Sequence, residues 1–146
     1  MPELGHVVFY VRNLDRSRRF YEGLLGLKCV GTLWNGQAAA FTGGATHHEL
    51  LLIEVGDAPG PPSGRRVGLY HVAWKLGDSL EALRGMADRL AREQVPVKAA
   101  VDHHVHRSLY LFDPDGNEIE LYVDNPDYDW RRNSDWLQLP PVPLAF

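Results

Sequence analysis

The chain has 146 residues, of which 45% are hydrophobic and 23% charged, a composition typical of a folded globular domain. Its formal net charge of −4 argues against nucleic acid or an anionic membrane surface as a partner, since both attract basic proteins. No apolar run approaches the ~20 residues of a membrane span, and no basic-then-apolar leader opens the chain. Because Cys29 is the only cysteine, an intrachain disulfide is excluded, and we expect a cytoplasmic protein.

Two copies of one sequence pattern divide the chain into halves. The segment GHVVFYV at 5–11 aligns with YHVAWKL at 70–76, so that His6 matches His71. Each copy alternates apolar and other residues as a half-buried strand does, and each precedes a helix-like stretch and further strand-like segments. This order predicts two βαβββ units, with unit one at 4–56, a Gly/Pro-rich linker at 57–67, unit two at 68–124 and an extended tail at 125–146.

The predicted elements have the same order in both halves. Further strands are predicted at 37–42, 48–55, 108–112 and 118–123. Helical spacing joins Phe20, Tyr21, Leu24 and Leu25 before Gly26 in the first half, and Leu80, Leu83, Ala87 and Leu90 in the second. Asp78 and Glu81 fit a capping box before the second helix. We therefore predict a single α+β domain in which the paired βαβββ units form one curved mixed sheet around a metal site.

The facing of the strands brings three potential ligands together. The turn DPDGN at 113–117 joins two antiparallel strands. One parity of these strands is entirely apolar, at Leu109, Leu111, Ile119, Leu121 and Val123. Successive side chains point to opposite faces, so Glu120 should point away from the helices. His6 and His71 also lie opposite their strands' apolar positions, and we expect all three on the concave side of the sheet.

Two neutral imidazoles and one carboxylate are the ligand set that non-haem Fe(II) oxygenases prefer. We therefore predict a metal site at His6, His71 and Glu120, with Fe(II) as the expected ion and Mn, Zn or Ni as ions that accept the same donors. An unpaired buried carboxylate is costly, and coordination offsets that cost. The recurrence of a histidine at the matched position of both halves supports this interpretation.

These residues resemble a known family. The paired units, the opening His6, the YHV strand around His71 and the run LYLFDPDGNEIELY at 109–122 resemble the vicinal oxygen chelate superfamily of glyoxalases, bleomycin resistance proteins and dioxygenases. Within it the chain is most similar to the type I extradiol, catechol 2,3-dioxygenase-like enzymes. The resemblance covers residues 4–124 and implies the same three metal ligands.

The resemblance also implies three catalytic residues. His48 is similar in position to the acid/base histidine of the dioxygenases, and His103 matches their histidine in an Asp-His segment. Tyr110 precedes Glu120 as their tyrosine precedes the ligand glutamate. The implied activity is extradiol cleavage of a catechol-type vicinal diol with O₂, and the implied assembly is a homodimer. His47, next to His48, should point to the opposite face if this segment is a regular strand.

Two other classes remain as alternatives. Metal-dependent isomerases or transferases of the glyoxalase or fosfomycin-resistance kind keep the metal ligands, and glyoxalases would add a fourth one, for which Glu49 or Glu54 can be proposed. A metal-free drug-binding module of the bleomycin-resistance kind would not need the three ligands. Many extradiol enzymes have four βαβββ units, whereas this chain has a single pair, a feature it shares with the glyoxalase-like relatives.

Overall fold

The computed structural model describes all residues, Met1–Phe146, and the chain forms two compact units. Unit 1 consists of Met1–Pro62 and Asp113–Gly116, and unit 2 of Ser63–Phe112 and Asn117–Phe146. The predicted second unit, 68–124, thus includes a short turn that the structure groups with unit 1. None of the helices has the length and apolar character that a membrane crossing requires.

Unit 1 has the predicted βαβββ order. Its elements are β1 (Val7–Val11), α1 (Leu14–Arg18), a π-helical segment (Arg19–Leu24), β2 (Lys28–Leu33), β3 (Ala38–Thr42) and β4 (Leu50–Glu54). The four strands form one sheet in the order β1-β4-β3-β2, in which β1 and β4 run parallel.

The helical region of unit 1 begins after a capping residue and is followed by a glycine turn. The side chain of Asn13 caps α1 by accepting a hydrogen bond from the backbone N–H of Arg16. After the π-helical segment the chain turns at Gly26, whose φ of 87° is a conformation that favours glycine. Tyr21 and Phe41 are fully buried in the core of this unit.

The short turn Asp113–Gly116 is held within unit 1 by its carboxylates. Tyr21 donates its hydroxyl hydrogen to Oδ2 of Asp113 over 2.7 Å. Arg16 donates from Nη2 to Oδ1 of Asp115 over 2.9 Å. Because both aspartates are buried, these partners offset the cost of removing the carboxylates from water.

Unit 2 repeats the same order and adds a strand. Its elements are β5 (His71–Gly77), α2 (Leu80–Arg92), β6 (Ala99–Asp102), β7 (His106–Phe112), β8 (Glu118–Asp124) and β9 (Val142–Pro143). The sheet order is β5-β8-β7-β6-β9, with β5 and β8 parallel. The apolar parity predicted for β7 and β8 is confirmed, because all five of its residues are buried.

The prediction of a capping box at Asp78 and Glu81 is wrong. The helix begins at Leu80, so the cap falls on Ser79, whose side chain accepts a hydrogen bond from the N–H of Ala82. Asp78 instead forms an ion pair with Lys75. The apolar stripe itself packs as expected, with Leu83 and Leu90 fully buried.

The α+β class and the two βαβββ units are confirmed, but the prediction of one continuous sheet is wrong. The structure has a four-stranded and a five-stranded sheet. In each unit the first strand pairs in parallel with the last strand of the same unit and lies at the edge of its own sheet, so every backbone ladder stays within one unit. The predicted tail is extended only in part. Val142–Pro143 forms β9, which hydrogen-bonds to β6 as the edge strand of the sheet, whereas Asp135–Leu137 is a 3-10 turn.

Candidate metal centre

In unit 2 the parallel pairing of β5 and β8 brings two of the predicted ligands together. His71 is the first residue of β5, and Glu120 is the third residue of β8. Nε2 of His71 lies 3.0 Å from Oε2 of Glu120. Glu120 is only 5% exposed, so a carboxylate is presented to an imidazole nitrogen in a largely water-free place.

The other carboxylate oxygen of Glu120 is occupied by β7. His106 donates from Nε2 to Oε1 over 3.1 Å, and Ser108 donates its hydroxyl hydrogen to the same oxygen. Burial raises the pKa of Glu120, but the hydrogen bonds from His106 and Ser108 outweigh it and the pKa falls to about 2. Glu120 is therefore ionised at neutral pH, with Oε1 engaged and Oε2 facing His71.

Two of the three predicted catalytic residues lie in the same unit and contact each other. Nε2 of His103 lies 2.9 Å from the hydroxyl oxygen of Tyr110, which sits directly opposite Glu120 across β7 and β8. Burial, followed by the negative charge of Glu120, raises the pKa of Tyr110. Burial, followed by the neighbouring His106, lowers the pKa of His103. At neutral pH the phenol therefore keeps its hydrogen and the imidazole is neutral.

A second set of potential ligands shares Glu120. His103, His106 and Glu120 each offer one ligand atom, and these atoms lie within 4.8 Å of one another. The rings of His103 and His106 are stacked, with centroids 4.6 Å apart. The strand predicted at 108–112 begins two residues earlier, since His106 is the first residue of β7. Its parity with Ser108 and Tyr110 was the signal that could have placed it on the face of Glu120.

In unit 1, the remaining two predicted residues are neighbours. His6 directly precedes β1, and its ring stacks on that of His48 with centroids 4.6 Å apart. Nδ1 of His47 lies 2.6 Å from Nδ1 of His48. The expectation that His47 and His48 face opposite sides is wrong, because β4 begins at Leu50 and strand alternation does not extend to the two histidines. Burial, followed by His47 and His6, lowers the pKa of His48.

Glu49 and Glu54, the two glutamates proposed as a fourth ligand, both accept hydrogen bonds from backbone N–H groups instead. Glu49 accepts hydrogen bonds from the N–H groups of Gly43, Ala45 and Thr46 and from the hydroxyl of Thr42. Burial opposes its ionisation, but these bonds lower the pKa of Glu49 to about 2. Glu54 accepts a hydrogen bond of 2.7 Å from the N–H of Leu14 at the start of α1. Both carboxylates therefore have structural partners within unit 1.

Residues 3–121 match the family described as the glyoxalase/bleomycin resistance protein/dioxygenase superfamily, and the chain belongs to this superfamily. It is 34% identical over 130 residues to a catechol-2,3-dioxygenase of Bacillus subtilis (strain 168), covering 89% of this chain and 44% of that protein. It is 30% identical over 128 residues to biphenyl-2,3-diol 1,2-dioxygenase 2 of Rhodococcus globerulus, covering 85% and 64%. The chain thus spans less than two thirds of the length of these two relatives.

A glyoxalase relative is matched over more of its length. The lactoylglutathione lyase of Salmonella typhimurium is 31% identical over 125 residues, covering 81% of this chain and 90% of that protein. Among solved structures, a glyoxalase/dioxygenase from Nostoc punctiforme superimposes with a TM-score of 0.72 at 22% identity, covering 84% and 90% of the two chains. The solved structure confirms the fold, and the sequence relatives are named as enzymes.

Proposed function

We propose that this protein is an Fe(II)-dependent extradiol dioxygenase that cleaves the ring of a catechol-type vicinal diol with O₂. The observation that carries the proposal is the arrangement on unit 2, where ionised Glu120 faces His71, and Tyr110 of the adjoining strand β7 contacts His103 in the loop before that strand. Two relatives, a catechol-2,3-dioxygenase and a biphenyl-2,3-diol 1,2-dioxygenase, are also named as dioxygenases.

The donor atoms fit a divalent transition metal. Two ligands of one ion with bonds of about 2.0–2.2 Å must lie within about 4.4 Å of each other, and His71 Nε2 and Glu120 Oε2 are 3.0 Å apart. We propose His71 and Glu120 as two ligands and His6, the repeat-matched histidine of unit 1, as the third. Fe(II) is the proposed ion, and Mn, Zn or Ni would accept the same donors. When bound, the ion lowers the pKa of the diol hydroxyls that coordinate to it.

The charge of the proposed ligands favours an anionic diol. Glu120 is the only charged residue among the three, so its single negative charge leaves a divalent site with a net positive charge that suits a catecholate monoanion. Tyr110 keeps its hydrogen and donates it to a substrate oxygen. His103, 2.9 Å from that hydroxyl, orients the phenol. His48 is the proposed acid/base that takes a proton from the diol and returns it during cleavage.

The second candidate is a glyoxalase-like isomerase. It is favoured by the lactoylglutathione lyase relative, 90% of whose length is matched by this chain. Against it, Glu49 and Glu54 are engaged with backbone N–H groups, so neither proposed fourth ligand is free. A metal-free binding module is disfavoured by the buried, ionised Glu120 beside His71.

We further propose that the protein is a cytoplasmic homodimer. Its proposed partners are the diol and O₂, and we expect it to bind neither nucleic acid nor a membrane.

Anaerobic reconstitution with Fe(II), followed by O₂ uptake and visible absorbance over a panel of substituted catechols, tests the proposal. We expect one O₂ consumed per ring cleaved, and no turnover of the glutathione hemithioacetal of methylglyoxal by the Ni- or Zn-loaded protein. Lyase turnover without O₂ uptake would make the isomerase the correct assignment.

A further inference from the structure

Two buried polar atoms in unit 2 face each other without a hydrogen bond. They are Nδ1 of His71 and Oε2 of Glu118, both buried and unpartnered and 3.6 Å apart. The residues are direct partners across the parallel pair β5 and β8. The Glu118 side chain is only 8% exposed, so bulk solvent has little access to Oε2.

Unpaired buried polar atoms are rare in native proteins, and each calls for an explanation. A separation of 3.6 Å is slightly beyond an N–H···O hydrogen bond, which spans about 2.7–3.2 Å. An approach of about 0.4 Å would bring the two atoms within that range. The two unpaired atoms can bond to each other, since Nδ1 of His71 can donate a hydrogen bond and the carboxylate oxygen of Glu118 accepts one.

The other oxygen of Glu118 is already held. Lys98 forms an ion pair and hydrogen bond with Oε1, and its side chain is about half exposed, at 47%. The ion pair with the ammonium group offsets part of the cost of burying the Glu118 side chain. Oε1 is thus fixed by Lys98, and Oε2 is directed at His71.

His71 therefore lies between two carboxylates, one facing each of its ring nitrogens. Glu120 faces its Nε2 at 3.0 Å, and Glu118 faces its Nδ1 at 3.6 Å. Ligand histidines in metal sites almost always donate their other ring N–H to a carboxylate or carbonyl, which fixes the tautomer and the ring orientation. Glu118 is placed where that partner belongs, and no other group supplies it.

We propose that Glu118 is the positioning residue of His71, accepting a hydrogen bond from Nδ1–H so that Nε2 carries the free lone pair, with Lys98 holding Glu118 in place. The proposal rests on His71 being a metal ligand in the proposed function. Unlike Glu120, Glu118 would not itself be a ligand of the ion.

Zn(II) affinity, measured by chelator competition, is the first test. Glu118→Leu should weaken Zn(II) binding by about 10–100-fold, the usual cost of losing an outer partner of a ligand. Glu118→Gln keeps an acceptor oxygen and should recover part of that loss. Glu93→Gln removes a negative charge from an exposed residue of the same unit and should leave the affinity within about threefold.

The ¹⁵N spectrum of the Zn(II)-loaded protein gives a second readout, which a merely structural role would not change. In the parent, we expect Zn(II) to shift Nε2 of His71 and the Nδ1–H to exchange slowly with water. In Glu118→Leu that hydrogen should exchange at least about tenfold faster, because it has lost a charge-assisted bond. Should Glu118→Leu fail to fold, Glu118→Gln and Lys98→Met are compared with the parent in its place. Each should bind Zn(II) more weakly than the parent and exchange the Nδ1 hydrogen of His71 faster.

The outcomes separate this proposal from the one it rests on. Parent-like affinity and slow exchange in the Glu118 variants would overturn the role of Glu118 and leave the metal centre standing. A parent that binds no Zn(II), or binds it without shifting Nε2 of His71, would overturn the metal centre and the role of Glu118 together.

Discussion

The imidazole rings of His47 and His48 touch, with their Nδ1 atoms 2.6 Å apart. At this distance one nitrogen donates and the other accepts a hydrogen bond. His48 also stacks on His6, so the three rings form a continuous row in unit 1. A change at His47 therefore reaches the proposed acid/base directly, although His47 itself is exposed.

The first prediction concerns this row. His48→Gln cannot take up a proton at neutral pH and should lower kcat on a good catechol by about 10²–10⁴-fold, the usual contribution of general acid–base catalysis, with iron content unchanged. His47→Gln loses one hydrogen-bond partner of His48 and should lower kcat by about fivefold, the equivalent of about 1 kcal/mol. Steady-state kinetics and iron per chain are measured together.

His104 supplies the control for these histidines. It lies at a positive φ of 70° and contacts the carbonyl of Pro140, so His104→Asn keeps a residue that tolerates this backbone. We expect parent-like kcat for that variant. Equal losses in His47→Gln and His48→Gln, or loss of iron in His48→Gln, would contradict the assigned roles.

The second prediction concerns Glu120. Glu120→Gln preserves the shape of the side chain but removes the charge that His106 and Ser108 stabilise. Because a carboxyl side chain binds a metal ion in its deprotonated, negatively charged form, Fe(II) retention should weaken by about tenfold or more. Anaerobic chelator competition measures it, with Glu93→Gln as the matched loss of a surface charge. Parent-like retention in Glu120→Gln would show that the ion is held elsewhere.

The same assay distinguishes the two ligand sets that share Glu120. With the proposed ligands, His71→Leu loses the metal while His103→Leu keeps it. If the cluster of His103, His106 and Glu120 held the ion, His103→Leu would lose it and His71→Leu would not. The two variants therefore give opposite results for the two sets.

The strand pattern was sufficient to predict the buried face of β7 and β8, because alternation is a property of the local backbone. It placed Glu120 opposite Leu121 and Ile119 correctly. It could not separate Glu118 from Glu120, since both have the same parity. Only the register of β5 on β8, which pairs His71 with Glu118 and Ala73 with Glu120, shows how each carboxylate meets the imidazole.

Features that depend on where an element begins were less predictable. The strand predicted at 108–112 begins two residues earlier, at His106, and the strand predicted at 48–55 begins two residues later, at Leu50. A shift of one residue likewise moved the cap of α2 from Asp78 to Ser79. Element boundaries are set by tertiary hydrogen bonds that a periodic pattern does not encode.

The third prediction is that the protein self-associates. In unit 1, Val8 and Tyr10 of β1 are 46% and 71% exposed, and exposed apolar side chains that lie together on one strand face are typical of an interface. Sedimentation equilibrium at tens of micromolar should give a dimer. Tyr10→Glu should shift the mass toward the monomer, whereas Val67→Glu, in the exposed linker, should not. A monomeric parent would contradict the expectation.

The fourth prediction concerns acid stability. The hydrogen bonds that Glu49 accepts lower its folded pKa to about 2, from a usual value of 4.5. A depressed folded pKa contributes stability above the unfolded value, and that contribution is lost as the pH falls from about 4.5 toward 2. The free energy of unfolding should therefore differ most between parent and Glu49→Gln at pH 7 and less at pH 3. Urea titrations at both pH values measure it, and a pH-independent difference would contradict the assignment.

The fifth prediction tests whether His103 acts through Tyr110. Nε2 of His103 lies 2.9 Å from the Tyr110 hydroxyl, so each residue needs the other to orient the donated hydrogen. Tyr110→Phe and His103→Leu should each lower kcat/KM on a catechol, and the double variant should lose little more than Tyr110→Phe alone. Groups that share one hydrogen bond show coupling of about 0.5–3 kcal/mol in a double-mutant cycle. Metal content should stay at the parent level in the Tyr110 variant, since the phenol is not a proposed ligand. Additive losses would mean that His103 contacts the substrate independently of Tyr110.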